Sequence, residues 1–262
     1  MASFQNYIFP ESLEDAYKLL QANRRNAVIG GNGWLALGRQ KLHTAIDLSR
    51  LGLDQIRVGP AYVEIGAMAT LRQLERELPG SLLACCVKPI AGVQFRNLAT
   101  VGGSLYSRFG FSDPITALMA MDTTVILHRQ GDVPIADFVW QKPSRDIVLG
   151  CRIENNGRRA AYQSLRLSAT DLPALTVAVS RLGSDWRVVV GARPGKATLA
   201  GEASRLLSEG KADAATAAST AAEELSFGSN MRGSGGYRRQ IAQVLIARAI
   251  EQLHGEGGLA IC

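Results

Sequence analysis

The chain has 262 residues, 47% of them hydrophobic, with 29 Lys and Arg against 23 Asp and Glu for a net charge of +6. That is enough apolar material for a substantial core, and the length suits one large domain or two to three smaller ones. The basic residues are scattered, as in Arg24-Arg25, Arg158-Arg159 and Arg238-Arg239, and neither run together nor alternate with aromatics. This argues against a nucleic-acid partner while leaving room for a docking surface toward acidic partner subunits.

The opening Met1-Ala2-Ser3-Phe4-Gln5-Asn6-Tyr7 has no basic segment leading into an apolar run, and Glu11, Glu14 and Asp15 follow soon after. No signal peptide is expected, no stretch is long enough for a membrane span, and a cytoplasmic location follows. Ser12 then starts a helix with Leu13, Ala16, Tyr17 and Leu20 on one face, ending near Asn23. Ala27-Val28-Ile29 predicts a buried strand running into Gly30-Gly31-Asn32-Gly33, and Thr44 to Leu48 the next strand, a β, glycine-rich turn, α, β arrangement.

A second block opens with the strand Tyr62 to Ile65 and a helix started by Thr70, with Gln73 at capping-box spacing. A helical segment from about Leu82 to Ala91 comes next, then the glycine pair in Ala99-Thr100-Val101-Gly102-Gly103-Ser104. A helix after Ser112-Asp113-Pro114 and the strand Thr123 to Leu127 follow. The last hundred residues predict strands near Ala174 to Val179 and Trp186 to Val190, a turn at Pro194-Gly195 and an Ala-rich stretch. A final amphipathic helix uses Ile241, Val244, Leu245, Ala249 and Leu253. Soft boundaries near 55 and 160 divide the chain into 1–55, 56–160 and 161–262.

Cys85, Cys86, Cys151 and Cys262 have no iron–sulfur or zinc spacing, and His43, His128 and His254 lack partners at i+3 or i+4, so no metal is expected in this chain. No nucleophile elbow, phosphate-binding Walker loop or Rossmann fingerprint after a strand is present, which leaves hydrolysis and phosphoryl transfer unsupported. A dinucleotide's pyrophosphate needs several N–H donors, and a glycine pair lets bare backbone approach it. Gly30-Gly31 and Gly102-Gly103 are suited to this. Either pair taken alone also fits a tight turn after a strand.

The order of the motifs is more specific. Gly30-Gly31 after an apolar strand, then Ala45-Ile46-Asp47-Leu48 and Ile65-Gly66-Ala67, are followed by Arg96-Asn97-Leu98-Ala99-Thr100-Val101-Gly102-Gly103-Ser104 and Ser112-Asp113-Pro114. Near the carboxyl end stands Arg232-Gly233-Ser234-Gly235-Gly236-Tyr237-Arg238. Over residues 4 to 255 this pattern resembles the FAD-binding medium subunits of molybdenum hydroxylases of the xanthine dehydrogenase and carbon monoxide dehydrogenase type.

The resemblance implies an α+β chain. A two-subdomain FAD-binding fold of the PCMH/vanillyl-alcohol-oxidase type would be followed by a small C-terminal domain of antiparallel sheet and helices. It places Val28, Ile29, Gly30, Gly31, Asn32 and Gly33 on one side of the FAD pyrophosphate and Thr100, Gly102, Gly103 and Ser104 on the other. Ser107 and Asp113 would stand near the phosphate and sugars, although Asp113 also suits a helix cap with Ser112 as the competing cap. Ile90, Val148 and Gln163 fall where relatives approach the flavin ring. Ser104, Gly33 and Gln163 depart from the usual Asn, hydroxyl or carboxylate, and Lys, and Arg166 is a candidate to supply the missing charge.

The resemblance further implies a large molybdopterin-binding partner, where substrate is hydroxylated, and a small partner carrying two [2Fe-2S] clusters that pass electrons to FAD here. The complex would be a heterotrimer or a dimer of heterotrimers, with NAD, oxygen, a quinone or another carrier as acceptor. The alternatives are a free-standing FAD-dependent oxidoreductase of the same fold, for which no proton donor is apparent, and a scaffold subunit with a degenerate FAD site.

Overall fold

The computed structural model describes residues 2–255 and 258–260, so Cys262 lies outside the described residues. Three sheets follow one another along the chain. In the first, β1 (Ser3–Ile8), β2 (Ala27–Ile29) and β3 (Lys41–Asp47) are parallel in the order β1-β3-β2. The strand β1 carries a mostly exposed, unpatterned sequence and has no signal of its own; its pairing with β3 creates it. Between β1 and β2 runs α1 (Leu13–Ala22), capped by Ser12 Oγ on Asp15 N, with Ala16 and Leu20 buried as their spacing requires. The connection from β2 to β3 holds only a 3-10 turn, Leu35–Leu37, and not the expected α-helix, because Gly33 and Gly38 bracket a segment too short for one.

The second sheet runs β4-β5-β8-β6-β7 and is antiparallel throughout. Its strands are β4 (Ile56–Val58), β5 (Tyr62–Gly66), β6 (Thr123–Leu127), β7 (Gly131–Pro134) and β8 (Val148–Glu154). Short helices fill the long excursion between β5 and β6: α2 (Leu71–Glu77), α3 (Leu82–Val87), α4 (Val93–Leu98), α5 (Val101–Ser107) and α6 (Asp113–Met119), while α7 (Ile135–Trp140) follows β7. The Thr70 and Gln73 capping box forms at the start of α2. Gly102-Gly103 lie in the first turn of α5 and not in a turn after a strand. Thr100 turns the chain there by accepting from Gly103 N at 3.1 Å.

The third sheet, β12-β11-β10-β9, is also antiparallel, built from β9 (Arg159–Leu165), β10 (Leu175–Leu182), β11 (Asp185–Gly191) and β12 (Thr198–Leu199). Helices α8 (Gly201–Ser208), α9 (Ala214–Glu224) and α10 (Gly235–His254) cover one face. The stripe that α10 buries is Ala242, Leu245, Ile246, Ala249, Ile250 and Leu253. Val244 is 43% exposed, off the stripe expected for it, because a spacing of three and four residues from Ala242 passes over it.

Three arginines hold these parts together and to one another. Arg158, nearly buried, donates through Nε to Asp122 Oδ2 at 2.9 Å and pairs with Asp185, while Arg187 reaches Asp122 Oδ1 at 2.6 Å. Asp122 precedes β6, so this knot ties the second sheet to the third. Arg238, 1% exposed at the start of α10, donates to the carbonyls of Ala174 and Gly228 at 2.8 Å each, to Gly233 O and to Asn230 Oδ1. The C-terminal Arg-Gly-Ser-Gly-Gly-Tyr-Arg motif is therefore a folding device, in which one buried guanidinium gathers acceptors of the 228–233 loop and Ala174 O.

Arg238→Met is expected to lower unfolding free energy by about 2 to 4 kcal/mol, since the buried Ala174 carbonyl and three acceptors of the 228–233 loop lose their shared donor together. A shifted denaturation midpoint with an unchanged slope checks this. Burial pushes the Asp122 carboxyl up, but hydrogen bonds from Asn156, Arg187 and Arg158 outweigh it and hold the group below the usual carboxylate range. Its contribution is therefore complete above the unfolded pKa of about 3.9 and disappears as pH falls through the lower folded value. Asp122→Asn should lose stability at neutral pH and show a shallower decline on acidification, read from denaturant midpoints across pH 2 to 6.

Candidate FAD site

A cavity of about 770 Å³ opens between the first two sheets and extends toward the third, within the range of small-molecule and cofactor sites. Two loops form its waist. The first leaves β2 at Gly30 and turns through Gly31 and Asn32, both left-handed at φ 63° and 54°. A Cβ on Gly31 would lie 1.4 Å from Leu98 O, so conformation and space both demand glycine there. The N–H groups of Gly31, Asn32, Gly33 and Trp34 find no acceptor among the described residues. Four successive free donors on a left-handed turn make an anion-binding concavity.

The second loop, at the start of α5, contributes differently. Val101 N donates to Ala69 O at 2.9 Å, Gly102 N to Ala67 O at 2.8 Å, Gly103 N to Thr100 Oγ1 and Ser104 N to Thr100 O. Its N–H groups thus hold the helix start against the strand β5 end, and the unspent donors belong to the first loop.

Of the residues singled out from sequence, Val28, Ile29, Gly30, Asn32, Gly33, Ile90, Thr100, Gly102, Gly103, Ser104, Ser107, Asp113 and Val148 line this one cavity. Gly31 stands behind the wall, against Leu98. Gln163 is not brought to the cavity: on β9 its side chain points toward α10 and donates to Gln252 Oε1 at 3.2 Å. Strand alternation explains this, since its neighbour Tyr162 faces the cavity side, where its hydroxyl donates to Asp113.

Asp113 is not the cap of α6. Ser112 Oγ accepts from Ile115 N, and Asp113, 4% exposed, takes the Tyr162 hydroxyl and Arg166 Nη2, the latter at 2.6 Å, on its Oδ1. Burial pushes the Asp113 carboxyl up against the opposing pull of Arg166 and Tyr162, and it pushes the Tyr162 phenol well above its ordinary value. Arg166, the candidate for replacing a lysine charge, is thus neutralised by Asp113 and further fixed by Asp171 O and Ser164 Oγ.

Sequence reasoning missed the aromatic lining of Trp34, Phe109 and Phe111, and the segment Arg145 to Ile147. Arg145 donates to Leu20 O, Asn23 O and Arg24 O at the end of α1, while the Asp146 carboxylate accepts from the N–H groups of Arg129, Gln130 and Ile147. Arg145 and Asp146 lie in an unpatterned loop, and no local spacing marks them.

Residues 2–153 match the family described as "FAD binding domain in molybdopterin dehydrogenase". The chain belongs to that family. Residues 160–253 match the "CO dehydrogenase flavoprotein C-terminal domain". The nicotine 6-hydroxylase medium subunit of Paenarthrobacter nicotinovorans is 29% identical over 272 residues, covering 93% of this chain and 95% of that one. The glyceraldehyde dehydrogenase medium chain of Sulfolobus acidocaldarius is 24% identical over 95% of this chain and 98% of its own length. The carbon monoxide dehydrogenase structure from Hydrogenophaga pseudoflava shares the fold, with a TM-score of 0.85 at 24% identity over 96% of this chain and 97% of that one.

The residues present fit FAD. The free N–H groups of the first loop suit a pyrophosphate, and Asn32 Oδ1, buried without a partner among the described residues, offers an acceptor to a cofactor hydroxyl. The departure at Gly33 also has a local cause: a Cβ there would come within 2.9 Å of Phe95 Cε2, so the ring of Phe95 occupies the space that a side chain in the turn would need. Gly33→Ala is expected to weaken FAD retention about tenfold, as overpacking displaces the turn, and adding Phe95→Leu should restore most of it. Equilibrium dialysis of the two variants against FAD tests the coupling.

Proposed function

We propose that this FAD-binding subunit is the electron-transfer member of a heterotrimeric molybdenum hydroxylase. The turn with four unspent N–H groups, three of whose residues (Asn32, Gly33 and Trp34) line a cofactor-sized cavity, carries the reading, because such donors suit a pyrophosphate. In this reading the flavin, when bound, supplies the redox chemistry, and the chain supplies binding, orientation and electrostatics. The first loop holds the phosphates, Thr100 and Gly103 close the other side, and the Asp113, Tyr162 and Arg166 cluster fixes a polar wall.

Among the described residues no three His, Cys, Asp or Glu side chains gather into a metal site, so the proposal assigns the [2Fe-2S] clusters to a small partner chain and the molybdenum cofactor to a large one. The "medium" in the names of its relatives supports such a division. Substrate specificity then resides in the large partner, and this chain passes electrons to an external acceptor. No helix among the described residues is long and apolar enough to cross a membrane. Assembly in the cytoplasm, with two heterotrimers paired, completes the proposal.

The purified chain should carry one FAD, identified chromatographically after release, and no iron. In the intact complex the flavin band at about 450 nm should bleach anaerobically when the substrate that the complex hydroxylates is added. Bleaching should require both partner chains. Reduction of the isolated chain by an organic substrate would instead favour a free-standing oxidoreductase, and failure to take up FAD would favour a scaffold.

A further inference from the structure

Arg108 stands apart from the cofactor cavity. Its neighbours Ser107 and Phe109 line that cavity, whereas Arg108, the left-handed C-cap of α5 at φ 46°, lays its side chain on α7, none of whose residues line it. The guanidinium carbon lies 3.9 Å from the centroid of the Phe138 ring, and the residue is only 8% exposed. Stacking covers one face of the guanidinium and satisfies none of its donors, which point outward in its plane. Nε and Nη1 are buried with no acceptor among the described residues, and Nη2, also unbonded, is the nitrogen that solvent reaches.

The other buried arginines show what is missing. Arg96, Arg158 and Arg166 each have a carboxylate within 3.1 Å, and Arg238 gathers four acceptors instead. Arg108 has neither, and its burial pulls the group below its ordinary range. The same helix carries more charge of the same sign. Lys196 donates to Val139 O at 2.6 Å and lies over the ring of the exposed Trp140, and it too has no carboxylate partner among the described residues. Donors held in a fixed plane, partly desolvated and left unneutralised, are built for an anion.

We propose that Arg108 is a binding site for an oxyanion, a phosphate or a carboxylate, separate from the cofactor cavity. Nη2 belongs to both of the two-point forks that a guanidinium offers. An anion that meets it at the open edge therefore takes Nε or Nη1 as its second donor. Phe138 fixes the plane in advance, and Lys196 raises the local potential without needing to touch the anion.

The test titrates inorganic phosphate into the full chain by calorimetry, comparing the parent with Arg108→Met and Arg108→Lys. The parent should bind phosphate at this site with a dissociation constant on the order of 1 mM. Arg108→Met should abolish that binding, and Arg108→Lys, which keeps the charge and loses the fork, should weaken it about fivefold. Phosphate held by the first loop would be equal in all three chains and drops out of the comparison, so the result does not depend on the FAD reading. The lysine variant carries the test alone should the methionine variant fold poorly. Repeating the titration on the intact complex separates the two sources. An Arg108-dependent site that disappears there is filled by a partner chain's carboxylate, and one that persists serves a free anion. Phosphate binding that is the same in all three chains, or absent from the parent, would overturn the proposal.

Discussion

The site depends on how closely two loops from different sheets approach. Gly30 sits against the second loop so tightly that a Cβ would fall 2.5 Å from Thr100 Oγ1, and Gly31 presses on Leu98 O. Contact at this range leaves no room for a side chain at the seam, and while the donors of the second loop are consumed internally, those of the first find no acceptor among the described residues. Free N–H groups left without water or a partner are costly, and their exposure on a cavity wall is the way a chain keeps them available for a ligand. The glycines therefore serve packing first; the anion site is what the packing leaves over.

Holding that seam requires the surrounding parts to be fixed relative to one another. Arg145 fastens the segment before β8 to the carbonyl end of α1, where a cation also meets the negative end of the helix, and so sets the distance between the first sheet and the second. The Asp122, Arg158, Asp185 and Arg187 knot does the same between the second and third sheets, supported by Ser180 Oγ on Ala120 O. Both joints use arginine, whose planar fork reaches several acceptors at once with little further entropy loss.

Much of this was legible in local sequence. Ser12, Thr70 and the spacing of Ala16 and Leu20 mark their helices because caps and buried stripes are short-range signals. The ordered motifs mark thirteen of the residues that line the cavity, Gly30, Thr100 and Asp113 among them. What local signals did not reveal depends on contacts distant in sequence: β1 exists through β3, Gly102-Gly103 became a helix start through the Thr100 cap and Ala67, and Arg145 meets α1 across more than a hundred residues. Gln163 illustrates the sharpest limit, since a position aligned by motif can face either side of a strand, and only the pairing of Tyr162 with Asp113 decides which.

That facing also settles the charge of the polar wall. Without a lysine at position 163, Arg166 is the nearest replacement in sequence, but its guanidinium lies 2.6 Å from Asp113 in a site where both side chains are under a tenth exposed. A buried cation this close to a carboxylate presents little net field beyond the pair, whereas either partner alone would be strongly felt in so dry a setting. The pair therefore orients hydrogen bonds without adding positive charge. In the proposed function, stabilisation of negative charge on a bound cofactor would fall instead to the unspent N–H groups of the first loop, which are fixed dipoles insensitive to pH. On the function proposed here, the backbone geometry imposed by Gly31, and not a titrating side chain, would carry this electrostatic contribution.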